Sequence, residues 1–299
     1  MPNFNRRKPK QKLAFPKLRI HRFGRKPVYQ EDDGADIGVG GLEHLPAKRH
    51  RGVYLLPNAF TTAALFCGFY AIVMAMNGRF QYAAVAIFAA MILDGIDGRV
   101  ARLTNTQSEF GAQYDSLSDM VSFGAAPSLV IYEWSLRGLG KMGWLAAFVY
   151  CSGAALRLAR FNTNIAVVDK RFFQGLPSPA AAALVAGLIW SMDDLGITGN
   201  AVTWLAWGIT VFAGLTMVSN VPFYSFKDVN FRKVVPFIMV FLLVLIVVLI
   251  SSYPPGVLFG LFVIYGLSGY GGYFWRLAKG KPVSIVQTDP DSLEDKDLP

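Results

Sequence analysis

Long apolar stretches separated by short polar loops dominate the chain after residue 52. A sliding hydropathy average predicts eight helical segments, at roughly residues 53–76, 80–98, 119–136, 143–160, 177–193, 200–219, 234–252 and 255–275. Each segment is long enough to cross a hydrocarbon core of about 30 Å, since a helix rises about 1.5 Å per residue. The pattern therefore predicts an all-α, polytopic membrane protein with about eight transmembrane helices.

The composition supports this prediction and the charges suggest an orientation. Of the 299 residues, 53% are hydrophobic and 16% are charged, which is too apolar for an ordinary soluble protein. Short cytoplasmic loops carry an excess of Lys and Arg. With the amino terminus inside, the outer loops hold only Arg79, Arg137 and Lys141, whereas the inner segments hold Arg99, Arg102, Lys170, Arg171, Lys227, Arg232, Lys233, Arg276, Lys279 and Lys281. Both termini are therefore expected in the cytoplasm.

Most of the excess positive charge precedes the first apolar segment. The net charge is +9, and residues 1–51 hold 13 Lys and Arg against five Asp and Glu. We expect a flexible basic tail that anchors the topology or is attracted to anionic lipid headgroups. Nucleic acid is not an expected partner, because the rest of the chain is a membrane body without a recognised nucleic-acid-binding module.

Four aspartates lie in or beside two neighbouring apolar segments. Asp94 and Asp97 are three residues apart near the end of the second segment, and Asp115 and Asp119 are four apart at the start of the third. If both stretches are helical, each pair lies on one helix face. Unpaired carboxylates are energetically costly at membrane depth. Two facing pairs would form an oxygen-rich site suited to Mg²⁺ or Mn²⁺.

Three interpretations of these acids are open. Arg99 and Arg102 could neutralise part of the cluster, although four crowded carboxylates would still repel one another. A divalent-cation transporter is the second, but the later segments contain no matching acids. The third is phosphoryl transfer, in which two metal ions bridge a diphosphate. Gly98 and Gly111 would then let a nucleotide approach the backbone, or would serve only in helix packing.

The spacing of the acids resembles the signature of a known family. Eight residues match, in every position, the pattern of the CDP-alcohol phosphotransferase family: Asp94, Asp97, Gly98, Ala101, Arg102, Gly111, Asp115 and Asp119. The resemblance implies an integral membrane enzyme in which the hydroxyl of a second substrate displaces CMP from a CDP-linked lipid or alcohol. It also implies two divalent cations, Mg²⁺ or Mn²⁺, held by the four acids, with Asp119 accepting the proton of the attacking hydroxyl.

Six residues are candidates to contact the CDP group. Four belong to the signature, namely Gly98, Ala101, Arg102 and Gly111. Arg102 would add positive charge beside a nucleotide phosphate, or instead orient Asp115 or Asp119. Asn58 and Thr61 follow Pro57 at the start of the first segment, where they could bind the CDP phosphates or simply cap a helix.

Residues 56–61, 116–127 and 173–179 resemble a bacterial, integral-membrane branch of the family. That resemblance implies transfer of a phosphatidyl group from CDP-diacylglycerol to L-serine, giving phosphatidylserine and CMP, by a homodimer among the lipids of the cytoplasmic membrane. Arg157 and Arg160, three residues apart in the fourth segment, could bind the carboxylate of serine or a phosphate, or extend to lipid phosphates. They do not separate serine from glycerol 3-phosphate, the alternative acceptor.

These interpretations predict four regions in the chain. They are a basic cytoplasmic tail (1–51), a catalytic transmembrane domain (52–233), two additional transmembrane helices (234–278) and a cytoplasmic carboxy-terminal tail (279–299). The active site is expected at the cytoplasmic face, because all four acids lie near the inner ends of their segments.

Overall fold

The structure is a computed structural model that describes residues 55–163, 172–224 and 237–279. The basic tail and nearly all of the carboxy-terminal tail lie outside these ranges. So do six of the inner-loop cations used to assign the orientation, namely Lys170, Arg171, Lys227, Arg232, Lys233 and Lys281.

The described residues are mostly helical, as predicted. The α-helices are α1 (Leu55–Met76), α2 (Phe80–Leu103), α3 (Glu109–Asp119), α4 (Ala126–Trp134), α5 (Lys141–Thr163), α6 (Ser178–Asp194), α7 (Thr203–Val218), α8 (Phe237–Ser252) and α9 (Pro254–Ala278). Short 3₁₀ turns, Leu136–Leu139 and Gly199–Val202, precede α5 and α7. Two strands, β1 (Phe172–Gln174) and β2 (Pro222–Tyr224), form an antiparallel pair that the hydropathy pattern did not predict.

Among the residues that the structure describes, four stretches are long and apolar enough to cross a membrane, judged by length and composition alone. They are Leu56–Met76, Lys141–Thr163, Gly199–Val218 and Pro254–Ala278. This agrees with an integral membrane protein. The number of eight crossings stays a prediction.

Two helices extend beyond the apolar segments that predicted them. α2 continues past residue 98 to Leu103, and α3 begins at Glu109, ten residues before the predicted segment. A π-helical segment, Met120–Ala125, joins α3 to α4 directly after Asp119. Such segments are rare, and they frequently lie at functional sites. All four aspartates lie on helices, which is the condition under which their spacing places each pair on one helix face.

Small residues and hydroxyl groups allow the helices to pack closely. Ser118 and Ser122 each donate a hydrogen bond over 3.1 Å to a carbonyl of α1, on Thr61 and Ala64 respectively. At Gly68 of α1, an added Cβ would lie 2.7 Å from the Cα of Ser122. Close approach of this kind is typical of helices in membranes. These contacts fix the helix that carries Asp115 and Asp119 against α1.

The last described helix, α9, packs directly against α6 and α7. A Cβ at Gly187 of α6 would lie 3.1 Å from the Cα of Phe259. The hydroxyls of Thr216 on α7 and Tyr270 on α9 are 2.8 Å apart. α9 is therefore in direct contact with the helices of the predicted catalytic region, a relationship that the hydropathy pattern left open.

Candidate active site

The four aspartates predicted from the sequence lie together between α2 and α3. Carboxylate oxygens of Asp94, Asp97 and Asp115 are all within 4.8 Å of one another. The side chain of Asp119 lies within hydrogen-bonding reach of Asp94. Three convergent carboxylates offer the oxygen ligands that Mg²⁺ and Mn²⁺ prefer. The donor set therefore fits a divalent cation.

The orientation of Asp97 depends on a residue of α1. The hydroxyl of Thr61 donates to Asp97 Oδ2 over 2.8 Å and also approaches the carbonyl of Pro57, at 3.1 Å. Both side chains are buried. A hydrogen bond to a metal-ligating carboxylate fixes its position and strengthens the site. Thr61, predicted as a nucleotide contact, thus also contacts the acidic cluster directly.

The salt-bridge interpretation finds no support in the described residues. Within them the one ion pair is between Arg137 and Glu133, at the surface. The side chains of Arg99 and Arg102 are exposed and form no ion pair with the four acids. The charge of the cluster is therefore not neutralised by these two arginines.

A cavity of about 310 Å³ opens beside the acids. All six candidate nucleotide-binding residues line it, together with two of the acids: Asn58, Thr61, Gly98, Ala101, Arg102, Gly111, Asp97 and Asp115. A Cβ added to Gly98 would have no neighbouring atom within 4 Å, so this position faces open space. The structure thus gathers residues from α1, α2 and α3 around one cavity next to the acids.

Three other residues that line the cavity, Thr106, Gln107 and Ser108, were not predicted. Ser108 is the N-cap of α3, where its hydroxyl accepts a hydrogen bond from the backbone N–H of Gly111 over 3.0 Å. The sequence carries a signal for this role, because a serine followed by an acidic first turn is typical of a helix start. A Cβ at Gly111 would lie 3.0 Å from this hydroxyl and 3.5 Å from Asn58 Oδ1.

Arg157 lies on the α5 side of the cluster and is buried, with 9% of its surface exposed. Its Nη1–H donates to the hydroxyl of Ser178 over 2.9 Å. Its Nε–H is buried and has no hydrogen-bond partner among the described residues. The guanidinium is close enough to Asp119 for the two charges to interact. A buried cation with an unused donor beside the acids fits an anion-binding role.

Arg160 makes different contacts from Arg157. Its Nη2–H donates to the carbonyl of Val218 over 2.6 Å. Its Nη1–H groups donate to the carbonyl of Ser219 over 3.4 Å and to Asn220 Oδ1 over 3.2 Å. These acceptors lie at the carboxy-terminal end of α7, where carbonyls lack helical partners and a cation is favourable. The sequence analysis proposed one role for Arg157 and Arg160, but in the structure the two side chains contact different partners.

Ser178, the partner of Arg157, is held by the turn before α6. Gly175 has a φ of +74°, and a Cβ there would lie 2.9 Å from the carbonyl oxygens of Thr216 and Ser219. Only glycine fits such a conformation against backbone atoms. This explains part of the segment 173–179, for which the sequence suggested a resemblance but no residue roles.

Comparison with known proteins agrees with this geometry. Residues 54–212 match the family described as CDP-alcohol phosphatidyltransferase. A CDP-diacylglycerol--serine O-phosphatidyltransferase of Helicobacter pylori strain J99 is 38% identical over 219 residues, which are 72% of this chain and 90% of that protein. Proteins of the same name are 32% identical over 189 residues in Mycobacterium leprae (62% of this chain, 63% of that protein) and 34% over 190 residues in Saccharomyces cerevisiae (59% and 61%).

The family match extends over more than half of the chain and includes the four aspartates and all the cavity-lining residues named above. The carboxylate cluster and the adjoining cavity therefore lie within the part of the chain that matches the family. This chain belongs to the CDP-alcohol phosphatidyltransferase family.

Proposed function

We propose that this protein transfers the phosphatidyl group of CDP-diacylglycerol to L-serine, giving phosphatidylserine and CMP. The observation that carries the proposal is the group of Asp94, Asp97 and Asp115, with Asp119 next to Asp94, beside a cavity lined by six candidate nucleotide contacts. The names of the similar proteins supply the acceptor, since they specify serine. Arg157 lies on the α5 side of the cluster, and its guanidinium is a cation that suits the carboxylate of serine.

The proposed reaction divides the site between its two substrates. The CDP group would lie in the cavity, where Gly98 leaves room for it and Arg102 lies near its phosphates. Asp94, Asp97, Asp115 and Asp119 would hold two divalent cations, Mg²⁺ or Mn²⁺. When bound, such ions neutralise the diphosphate and the charge that develops on the leaving CMP.

The attacking group is the serine hydroxyl, which is a weak nucleophile until its proton is removed. Asp119 would accept that proton as the oxygen forms a bond to the phosphorus next to diacylglycerol. The bond that breaks joins this phosphorus to the oxygen of CMP. Arg157 would bind the serine carboxylate and so hold the hydroxyl toward the reacting phosphorus.

The membrane arrangement belongs to the same proposal. Eight crossings with both termini in the cytoplasm would bring the acidic end of α2 to the inner face of a bacterial cytoplasmic membrane. The excess of Lys and Arg in the inner segments supports this orientation. Serine would then arrive from the cytoplasm and the lipid substrate from the bilayer. A homodimer stays a prediction.

The proposal can be tested by following CMP release from CDP-diacylglycerol by the purified full-length protein. We expect release that requires L-serine, stops with a chelator and resumes with Mg²⁺ or Mn²⁺. Asp119→Asn should abolish it, whereas Asp193→Asn should not, because Asp193 is an exposed acid at the other end of the helices, at the end of α6. Release with glycerol 3-phosphate but not serine would favour the alternative acceptor. Metal flux in vesicles without any CMP release would instead indicate a transporter.

A further inference from the structure

Two hydrogen bonds join α5 to the stretch of chain that carries Asp119. They run from Asn162 Nδ2 to Ser116 Oγ over 3.0 Å and from the Tyr150 hydroxyl to the carbonyl of Phe123 over 3.0 Å. In the sequence, Asp119 lies between the two bonded residues of its stretch, and Arg157 lies between the two bonded residues of α5. Because the two stretches run in opposite directions, Arg157 and Asp119 lie at a similar level of the pair. The contacts of Arg157 are therefore contacts at the level of the acidic cluster.

Ser178, the first residue of α6, is the hydrogen-bond partner of this arginine. It is fully buried, and its hydroxyl accepts from the Nη1–H of Arg157 over 2.9 Å. The turn before it is held by backbone bonds, since the N–H of Leu176 donates to the carbonyl of Thr216 on α7 over 3.1 Å. The oxygen that receives Nη1–H is therefore held in place by both α6 and α7.

The bond to Ser178 leaves one edge of the guanidinium unused by it. In arginine, Nε–H and one N–H of Nη2 point along the same edge, and Nη1 lies outside that edge. The Nε–H of Arg157 is buried and has no hydrogen-bond partner among the described residues. Two parallel N–H groups on one edge match the two oxygens of a carboxylate. The side chain is thus fixed through one nitrogen while a buried donor of its carboxylate-binding edge has no partner.

The charges around Arg157 also favour an anion. Its guanidinium bonds to the first residue of α6, and the start of a helix carries a partial positive charge. This start has no side-chain cap, and Pro179 in the first turn contributes no N–H. Among the described residues Arg157 forms no ion pair. A buried cation beside the positive end of a helix is unfavourable until an anion binds there.

We infer that Ser178 is a positioning residue for the acceptor: it holds Nη1 of Arg157 so that the edge bearing Nε–H binds the carboxylate of the serine substrate. The start of α6 is therefore part of the acceptor site, although Ser178 itself bonds to the arginine and not to the substrate. This inference rests on the proposed function, because it assigns a role within the binding of serine.

The test compares two buried serines in the full-length protein. Ser178→Ala removes the acceptor of Arg157, and Ser135→Ala removes a hydroxyl that donates to the carbonyl of Gly199, beyond the far end of α6. For each variant, kcat, KM for serine, KM for CDP-diacylglycerol and the thermal unfolding midpoint are measured. Ser178→Ala should raise KM for serine about tenfold, the scale expected for losing a hydrogen bond to a charged group. Its KM for CDP-diacylglycerol should be unchanged.

The control separates positioning from general loss of structure. Ser135→Ala should lower the unfolding midpoint without raising KM for serine. Ser178→Cys keeps nearly the same side-chain volume but offers only a weak acceptor, so it should raise KM for serine in the same direction.

A double substitution shows whether Ser178 acts through Arg157. Lysine has no fork to orient, so adding Ser178→Ala to Arg157→Lys should raise KM for serine by no more than about twofold further. The inference is overturned if Ser178→Ala leaves KM for serine as in the wild type, if the two effects multiply, or if Ser135→Ala raises KM for serine equally. A wild-type protein without serine-dependent CMP release would overturn the proposed function itself, an outcome seen before any variant is measured.

Discussion

Thr61 on α1 donates its hydroxyl proton to Asp97 on α2 over 2.8 Å, and both buried residues line the cavity beside the acidic cluster. The same threonine receives, at its backbone carbonyl, a hydrogen bond from Ser118 of α3. One residue therefore connects the three helices that surround the cavity. Thr61 also lines the cavity, so a substitution of the same shape, such as valine, is needed to remove the bond to Asp97 and leave the cavity's space unchanged.

Thr61→Val should weaken divalent-cation binding by roughly 10-fold to 100-fold, since it removes a hydrogen bond that orients a ligand. The measurement is the Mn²⁺ concentration for half-maximal CMP release, together with direct Mn²⁺ binding. Thr62→Val is the control, because Thr62 is exposed and bonds to Tyr114 rather than to an acid. Equal effects of the two substitutions would contradict the assigned role of Thr61.

Gly98→Ala should raise KM for CDP-diacylglycerol by about tenfold, because the added methyl group occupies space in the cavity that a nucleotide would use. Gly95→Ala is the matched control, since a Cβ there also meets no atom within 4 Å but Gly95 does not line the cavity. Neither variant should lower the unfolding midpoint, because alanine is favoured over glycine in a helix. An unchanged KM in Gly98→Ala would place the nucleotide elsewhere.

Arg157→Lys and Arg160→Lys should have different consequences. Lysine lacks the planar fork of arginine, so Arg157→Lys should raise KM for serine about tenfold or more. Arg160→Lys should chiefly lower the unfolding midpoint, by a few degrees, because the carbonyls of Val218 and Ser219 lose donors. Steady-state kinetics and thermal unfolding of both variants provide the check. A raised KM for serine in Arg160→Lys would support the acceptor-binding role that the sequence predicted for Arg160 as well.

Gly214→Ala should destabilise the protein by about 1–3 kcal/mol, because a Cβ there would lie 2.9 Å from the Cα of Tyr150 on the neighbouring helix. Gly208→Ala, six residues earlier on α7, should be neutral or slightly stabilising, since its Cβ meets no atom within 4 Å. Thermal unfolding in detergent measures both. Equal midpoints would mean that α5 and α7 can move apart without cost.

Much of the site could be predicted from the sequence because its signals are local. The spacing of Asp94 to Asp97 and of Asp115 to Asp119 determines that each pair shares a helix face, whatever the helices pack against. The signature residues Gly98 and Gly111 lie on the same two helices, so their approach to the acids follows from the same geometry. The approximate positions of most helices likewise follow from hydropathy along the chain, but the single segment predicted at 119–136 corresponds to the end of α3, a π-helical segment and α4.

Contacts between segments that are far apart in the sequence were determined only by the tertiary structure. The bond from Thr61 to Asp97, the bonds of Arg157 and Arg160 to different partners, and the bond from Tyr265 to the carbonyl of Tyr224 all join elements far apart in the sequence. The π-helical segment after Asp119 and the pairing of β1 with β2 also depend on neighbouring elements. Helical spacing and hydropathy act over a few turns of one segment, whereas these contacts depend on which helix faces meet and how closely small residues let them approach.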